Sequence, residues 1–179
     1  SEDKLELGLS NIIDKVDYLN DQLSSNKISF DETILPSYSS FYQIKDGIDI
    51  DVSFTSENFM SIDFLDDISK NKIIDNINSQ EQYFPENNLI VSDYMIFRGL
   101  VVKQITFYPF RINLSTGELE AMENVSIFID EYQTQNYREY KQQKKSRLFE
   151  GFYKDLIINY ESDSRSDEYQ SPSILYICG

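Results

Sequence analysis

The sequence predicts a mainly β fold: an antiparallel β-sandwich, with an N-terminal helix and a C-terminal linker leading to the first strand of a second, α/β domain. Three observations carry this. The chain holds 13 tyrosines and 12 phenylalanines but no tryptophan, and these residues, with Ile and Val, favour half-buried pleated surfaces. Residues 48–54 alternate cleanly, with Ile48, Ile50, Val52 and Phe54 on one face and Asp49, Asp51 and Ser53 on the other. One apolar and one polar face is the pattern of an antiparallel strand. Short apolar runs then recur between turn signals from residue 89 to residue 129, the spacing expected of a sandwich.

In chain order, residues 5–23 read as a helix, because Leu5, Leu9, Ile12, Ile13, Val16, Leu19 and Leu23 recur at spacings of three and four. Ser1 or Asp3 could cap it, and Glu2, Asp3 and Glu6 suit the positive end of its dipole. Residues 27–30 form a short strand candidate, ended by Leu35-Pro36. Residues 37–44 and 48–54 flank Lys45-Asp46-Gly47, whose Asp-Gly step signals a hairpin. Residues 59–64 continue as a strand, and 66–80 read as a polar loop with one helical turn at 73–77.

Tyr83-Phe84-Pro85-Glu86 reads as a turn, followed by strands at 89–91, 94–98, 100–108 and 111–113. Ser115-Thr116-Gly117 turns the chain into strands at 118–122 and 125–129. In the central run, Ile105, Phe107 and Pro109 alternate with Thr106, Tyr108 and Phe110, so that strand is expected to be buried on both faces. Pro109 cannot donate to a ladder and marks a bend or edge. Residues 137–152 form a helix or an extended arm that carries the densest basic cluster: a solvated face, or else a processing or docking face. Residues 153–160 read as a last strand. Residues 161–168 contain no apolar side chain and open a linker. Ser173-Ile174-Leu175-Tyr176-Ile177-Cys178 is a continuous apolar run of the kind found in buried parallel strands. The expected division is an N-terminal helical arm at 1–26, the sandwich at 27–160, the linker at 161–172 and the first strand of a further domain at 173–179.

Composition narrows function by exclusion. A net charge of −15 repels phosphate backbones, so no nucleic-acid partner is expected. No run of 18 apolar residues occurs, so no membrane span is expected. Ser1-Glu2-Asp3-Lys4 fits the mature end left by removal of a signal peptide, or an arbitrary start. Histidine is absent and Cys178 is the single cysteine. Within this chain no Ser-His-Asp or Cys-His pair can therefore be assembled. Carboxylates neighbour each other at Asp49/Asp51, Asp63/Asp66/Asp67, Glu118/Glu120 and Asp163/Asp167, as chance provides among 31 acidic residues. No catalytic residue and no cofactor is expected. A structural calcium in an acidic loop stays open, although no Asp-x-Asp-x-Asp-Gly loop occurs. Asn113-Leu114-Ser115 and Asn124-Val125-Ser126 match the glycosylation sequon, a common triplet.

One constellation goes beyond composition. Tyr83-Phe84-Pro85-Glu86, Phe97-Arg98-Gly99, Ile105-Thr106-Phe107-Tyr108-Pro109-Phe110 and Asn113-Leu114-Ser115-Thr116-Gly117-Glu118-Leu119 together resemble the N-terminal region of gingipain-type peptidases. Leu35-Pro36-Ser37-Tyr38-Ser39 is similar to that family's opening, and residues 171–178 to the first strand of its catalytic domain. The resemblance implies a β-sandwich pro-domain of a secreted or cell-surface bacterial cysteine peptidase. Such a pro-domain assists folding, covers the active-site cleft in cis and is removed by proteolysis in the linker. The Cys–His pair of the peptidase would lie outside this chain. Arg165, basic and flanked by small polar residues, is the expected cleavage point. The family's inhibitory basic side chain does not align to one position, and Lys70, Lys72, Lys103 and Arg111 all stay open. The alternative is a sandwich module that binds carbohydrate or a cell-surface partner through stacked aromatic rings.

Overall fold

The computed structural model describes residues 2–7, 35, 37–62, 81–135, 143–162 and 169. Its strands are β1 (Glu2–Leu7), β2 (Tyr38–Gln43), β3 (Ile48–Thr55), β4 (Asn58–Ile62), β5 (Tyr83–Phe84), β6 (Leu89–Val91), β7 (Met95–Phe97), β8 (Leu100–Phe107), β9 (Phe110–Asn113), β10 (Leu119–Glu123) and β11 (Val125–Gln133). A 3-10 turn at Arg147–Phe149 leads into helix α1 (Glu150–Leu156). The described residues are thus mainly β with little helix. Among the described residues, no helix is long and apolar enough to cross a membrane.

Among the described residues the strands form three sheets, ordered β1-β11-β3, β4-β10-β9-β5 and β2-β8-β6, with β7 also paired to β8. The pairs β1–β11, β4–β10, β10–β9, β9–β5 and β7–β8 are antiparallel. The helix expected from Leu5 begins instead as strand, with Glu2 opposite Asp130 and Leu7 opposite Val125. Lys4, Leu5, Glu6 and Leu7 alternate polar and apolar, and the free edge of β11 rewards that period over the helical one. The remainder of the expected helix, the strands at 27–30 and 173–179 and the loop at 66–80 lie outside the described residues. Tyr83 and Phe84, expected in a turn, pair with Asn113 and Ile112 before a cis Phe84–Pro85 bond.

By contacts the chain divides into two interleaved units. The first comprises residues 1–39, 50–90 and 106–131, and the second 40–49, 91–105 and 132–179. In the first, Phe107, Met122, Val125 and Ile127 form a buried cluster against Tyr38, Val52, Phe54 and Leu89. The Phe54 ring meets Phe107 edge-on, with centroids 5.1 Å apart, a favoured aromatic geometry. Pro109 ends β8 as expected, and its carbonyl accepts the Met122 N–H at 2.8 Å. Asn113, in one of the two sequons, is buried, and its side-chain oxygen accepts the Ser115 N–H at 3.0 Å to shape the turn into β10.

In the second unit, Leu100, Val102, Tyr153 and Ile157 are buried against Phe41, Met95, Phe97, Phe149 and Tyr160. The strand expected at 153–160 is absent, and α1 runs to Leu156. A strand would place Asp155 on the same face as Tyr153 and Ile157. The helix keeps those two residues, four apart, in the core and turns Asp155 out to solvent. Ile157 then makes an isolated parallel bridge to Phe41.

The β7–β8 hairpin turns through Arg98 (φ 51°) and Gly99 (φ 93°), both positive as a two-residue primed turn requires. A Cβ on Gly99 would sit 3.2 Å from the Lys144 carbonyl oxygen, while the Gly99 carbonyl accepts the Gln143 N–H at 2.8 Å. Gly99→Ala should therefore destabilise the chain by about 1–3 kcal/mol, read as a lower urea midpoint by tyrosine fluorescence. An unchanged midpoint would mean that the turn relaxes freely.

Candidate functional site

The stretch 143–162 folds around a helix with two apolar stripes. Phe149, Tyr153 and Ile157 recur every four residues and face the core of the second unit. The Tyr153 ring lies 6.4 Å from Phe97 and 5.2 Å from Tyr160, and its hydroxyl donates to the Arg98 carbonyl at 2.7 Å. Phe149 lies under the Arg98 guanidinium at 4.4 Å, a cation–π contact. The second stripe, Leu148, Phe152 and Leu156, is one residue out of phase and faces solvent, 88%, 58% and 38% exposed. The backbone is tied to β2: Asn159 accepts the Gln43 N–H at 2.7 Å through its side-chain oxygen, and its amide donates to the Gln43 carbonyl at 2.9 Å.

Glu150, the first residue of α1, collects the chain that follows. Its carboxylate accepts Ser162 Oγ–H at 2.7 Å, Tyr160 O–H at 2.9 Å and Tyr169 O–H at 3.0 Å. Lys154, one turn on, stands 4.0 Å away. Burial alone would push the Glu150 carboxyl up. The hydroxyls of Ser162, Tyr160 and Tyr169 and the charge of Lys154 outweigh it and hold Glu150 below the usual carboxylate range. Tyr160 moves the opposite way: burial, its hydrogen bonds to Glu150 and Tyr169 and the charges of both neighbours raise it far above an ordinary phenol.

Tyr169 is buried although it belongs to the expected linker. Its backbone bridges to Lys145, and the Lys145 ammonium and the Arg147 guanidinium lie 5.4 Å and 5.0 Å from its ring. Lys145 itself is buried and does not belong to a solvated basic face. Glu161 and Ser162, at the start of the expected linker, are exposed. No spacing in the sequence announces the Glu150 cluster, since its members are spread over 19 residues. The double stripe was readable as two i, i+4 runs offset by one.

The other expected sites resolve as follows. Asp49 is buried, contrary to the wet face expected for it, because Lys103 Nζ stands 2.7 Å from it, Tyr94 O–H donates at 2.5 Å and Tyr132 O–H at 3.3 Å. Unpairing such a charge costs about 3–5 kcal/mol, so Lys103 is held in place. Arg111 is held as firmly, by Glu120 at 2.6 Å and between the Phe59 and Tyr83 rings at 3.7 Å and 4.1 Å. Both cations are thus paired within this chain. Lys70, Lys72, Arg165 and Cys178 lie outside the described residues. Among the described residues, no three His, Cys, Asp or Glu side chains converge as a metal site.

Known proteins give these comparisons. The sequence profile of the Propeptide_C25 family matches residues 48–167. No curated protein matches the chain. Among solved structures, it is similar to the complex of Porphyromonas gingivalis RgpB pro- and mature domains, at 21% identity, covering 75% of this chain and 77% of that one with a TM-score of 0.49. It is also similar to a structure described as giving insight into zymogenic latency of gingipain K from Porphyromonas gingivalis. There the identity is 11%, with 55% of this chain and 63% of that one covered and a TM-score of 0.40.

The Glu150 cluster gives a pH dependence with a definite sign. A carboxyl held below its unfolded value near 4.5 stabilises the fold fully above that value, and the contribution is lost as pH falls through the lower folded value. Glu150→Gln should thus cost about 1–3 kcal/mol at pH 7 and progressively less towards pH 3. Urea unfolding of both proteins at pH 7 and pH 3 measures this, and a difference that does not shrink with pH would refute it.

Proposed function

The chain belongs to the Propeptide_C25 family, the propeptide of gingipain-type cysteine peptidases, and from that membership we propose that it assists the folding of its peptidase domain and keeps it latent. On this reading it is removed by proteolysis in residues 161–172. As a propeptide it is not itself catalytic, and its precursor belongs to a cysteine peptidase family. The observation that carries the reading is the family match over residues 48–167.

The chemistry of the chain supports this division of labour. With no histidine anywhere and one cysteine, the chain cannot supply a thiolate–imidazole pair, so any nucleophile belongs to the domain it accompanies. Its partner is then the cognate catalytic domain, bound in cis, and its location is outside the cell or on its surface, where such a peptidase acts. Because Lys103 and Arg111 are committed to Asp49 and Glu120, a cation placed in the peptidase cleft has to come from elsewhere in the chain.

Two outcomes are expected. Added in trans, residues 1–179 should abolish the activity of the matching mature peptidase and co-elute with it on gel filtration. An enzyme that keeps full activity and runs alone would sink the latency reading. In the precursor, N-terminal sequencing of the released peptidase should place the cut after Arg165, and Arg165→Ala should slow release. A new terminus outside 161–172 would contradict the proposed processing.

A further inference from the structure

We propose that the outer stripe of the α1 region, Leu148, Phe152 and Leu156, is the surface on which the peptidase domain docks. The inference rests on the pro-domain reading above and gives it an address. A short surface helix ordinarily has one apolar face, turned to the core, and a polar face outside. Here the core stripe is already complete in Phe149, Tyr153 and Ile157. The sequence nevertheless repeats the four-residue spacing one position earlier, with Leu148 88% exposed, Phe152 58% and Leu156 38%. Ile158, just beyond the helix, is a further apolar residue left 38% exposed. Exposed apolar residues gathered on one element, rather than scattered, mark an interaction surface.

The course of the chain selects the occupant. Tyr169, the last described residue, hydrogen-bonds the same helix through Glu150 at 3.0 Å, and its backbone bridges to Lys145. Whatever follows Tyr169 in the precursor therefore leaves from the side of α1. A domain tethered at that point meets the stripe at a high effective concentration that no separate partner matches. Leu148 and Phe152 are the candidate anchors, since an interface draws most of its energy from a few large side chains that become fully desolvated.

The test uses the whole chain, residues 1–179, added to the mature peptidase. Leu148→Glu with Phe152→Glu should raise the inhibition constant about 100-fold or more, while Ile90→Glu, at an exposed apolar position in the other unit, should change it less than about twofold. In the wild-type complex, amides 147–156 should gain protection from hydrogen exchange, a readout that does not depend on how the variants fold. Full inhibition by the double variant, or unprotected amides in an inhibited complex, would overturn the surface while leaving the latency reading intact. Concentration-dependent dimers of the chain alone that the double variant abolishes, with inhibition unchanged, would reassign the stripe to a second copy. A wild-type chain that neither binds nor inhibits would remove the latency reading and this surface together.

Discussion

The strand Leu100–Phe107 has almost no face to give to water. Leu100, Val101 and Val102 are 0–1% exposed in succession, and Ile105 and Phe107 follow them into the interior. A strand buried on both sides must find apolar neighbours above and below it, and its backbone must be paired on both edges. It is paired with β2 and β6, and with β7 through the Arg98-Gly99 turn. Leu100 and Val102 seed the cluster that receives Tyr153 and Ile157, and Phe107 joins the cluster of Met122, Val125 and Ile127. Each unit's core thus includes side chains from this one strand. The helix with its two stripes sits where it does because Tyr153 follows Leu100 and Val102 into the core.

Much of this was legible from period alone. The alternation at 48–54, the strand at 100–108, the bend at Pro109 and the turn at Ser115–Gly117 all appear where local pattern and turn chemistry agree, while the burial on both faces expected for 105–110 falls at Leu100–Val102 and leaves Thr106 and Tyr108 half-buried. The order of Phe97-Arg98-Gly99, Tyr108-Pro109 and the Asn113–Leu119 turn gave the gingipain-type resemblance, and the family match over 48–167 bears it out. What failed did so for identifiable reasons. Residues 153–160 are rich in residues suited to strands, yet only a helix hides Tyr153 and Ile157 without hiding Asp155. Asp49 looked solvated because alternation assigns a face and cannot see Lys103, 54 positions away, arriving to neutralise it. The Glu150 cluster was invisible because three hydroxyls from separate points of the chain define it.

Electrostatics shows a division between inside and outside. The chain is strongly acidic, with 31 acidic against 16 basic residues, and several of its cations are turned inward. Lys103 pairs with Asp49 beneath Tyr94, Arg111 is held by Glu120 between two rings, and Lys145 is buried beside Tyr160 and Tyr169. Each charged end finds a carboxylate or a ring face. Cations used in this way organise the interior, and the acidic side chains left outside keep such a chain soluble through mutual repulsion.

The interleaving of the two units has a consequence for how this chain can change over time. Its borders fall at residues 39, 49, 90, 105 and 131, within or at the edges of strands, and the polypeptide alternates between the units along its length. No contiguous segment of the gene encodes either unit whole. Recombination cannot exchange one for a foreign counterpart, and a truncation from either end damages one unit before the other is cleared. The two are encoded together, so a lineage that alters one must do so by substitutions that the strands crossing these borders, β2, β3, β6, β8 and β11, can tolerate.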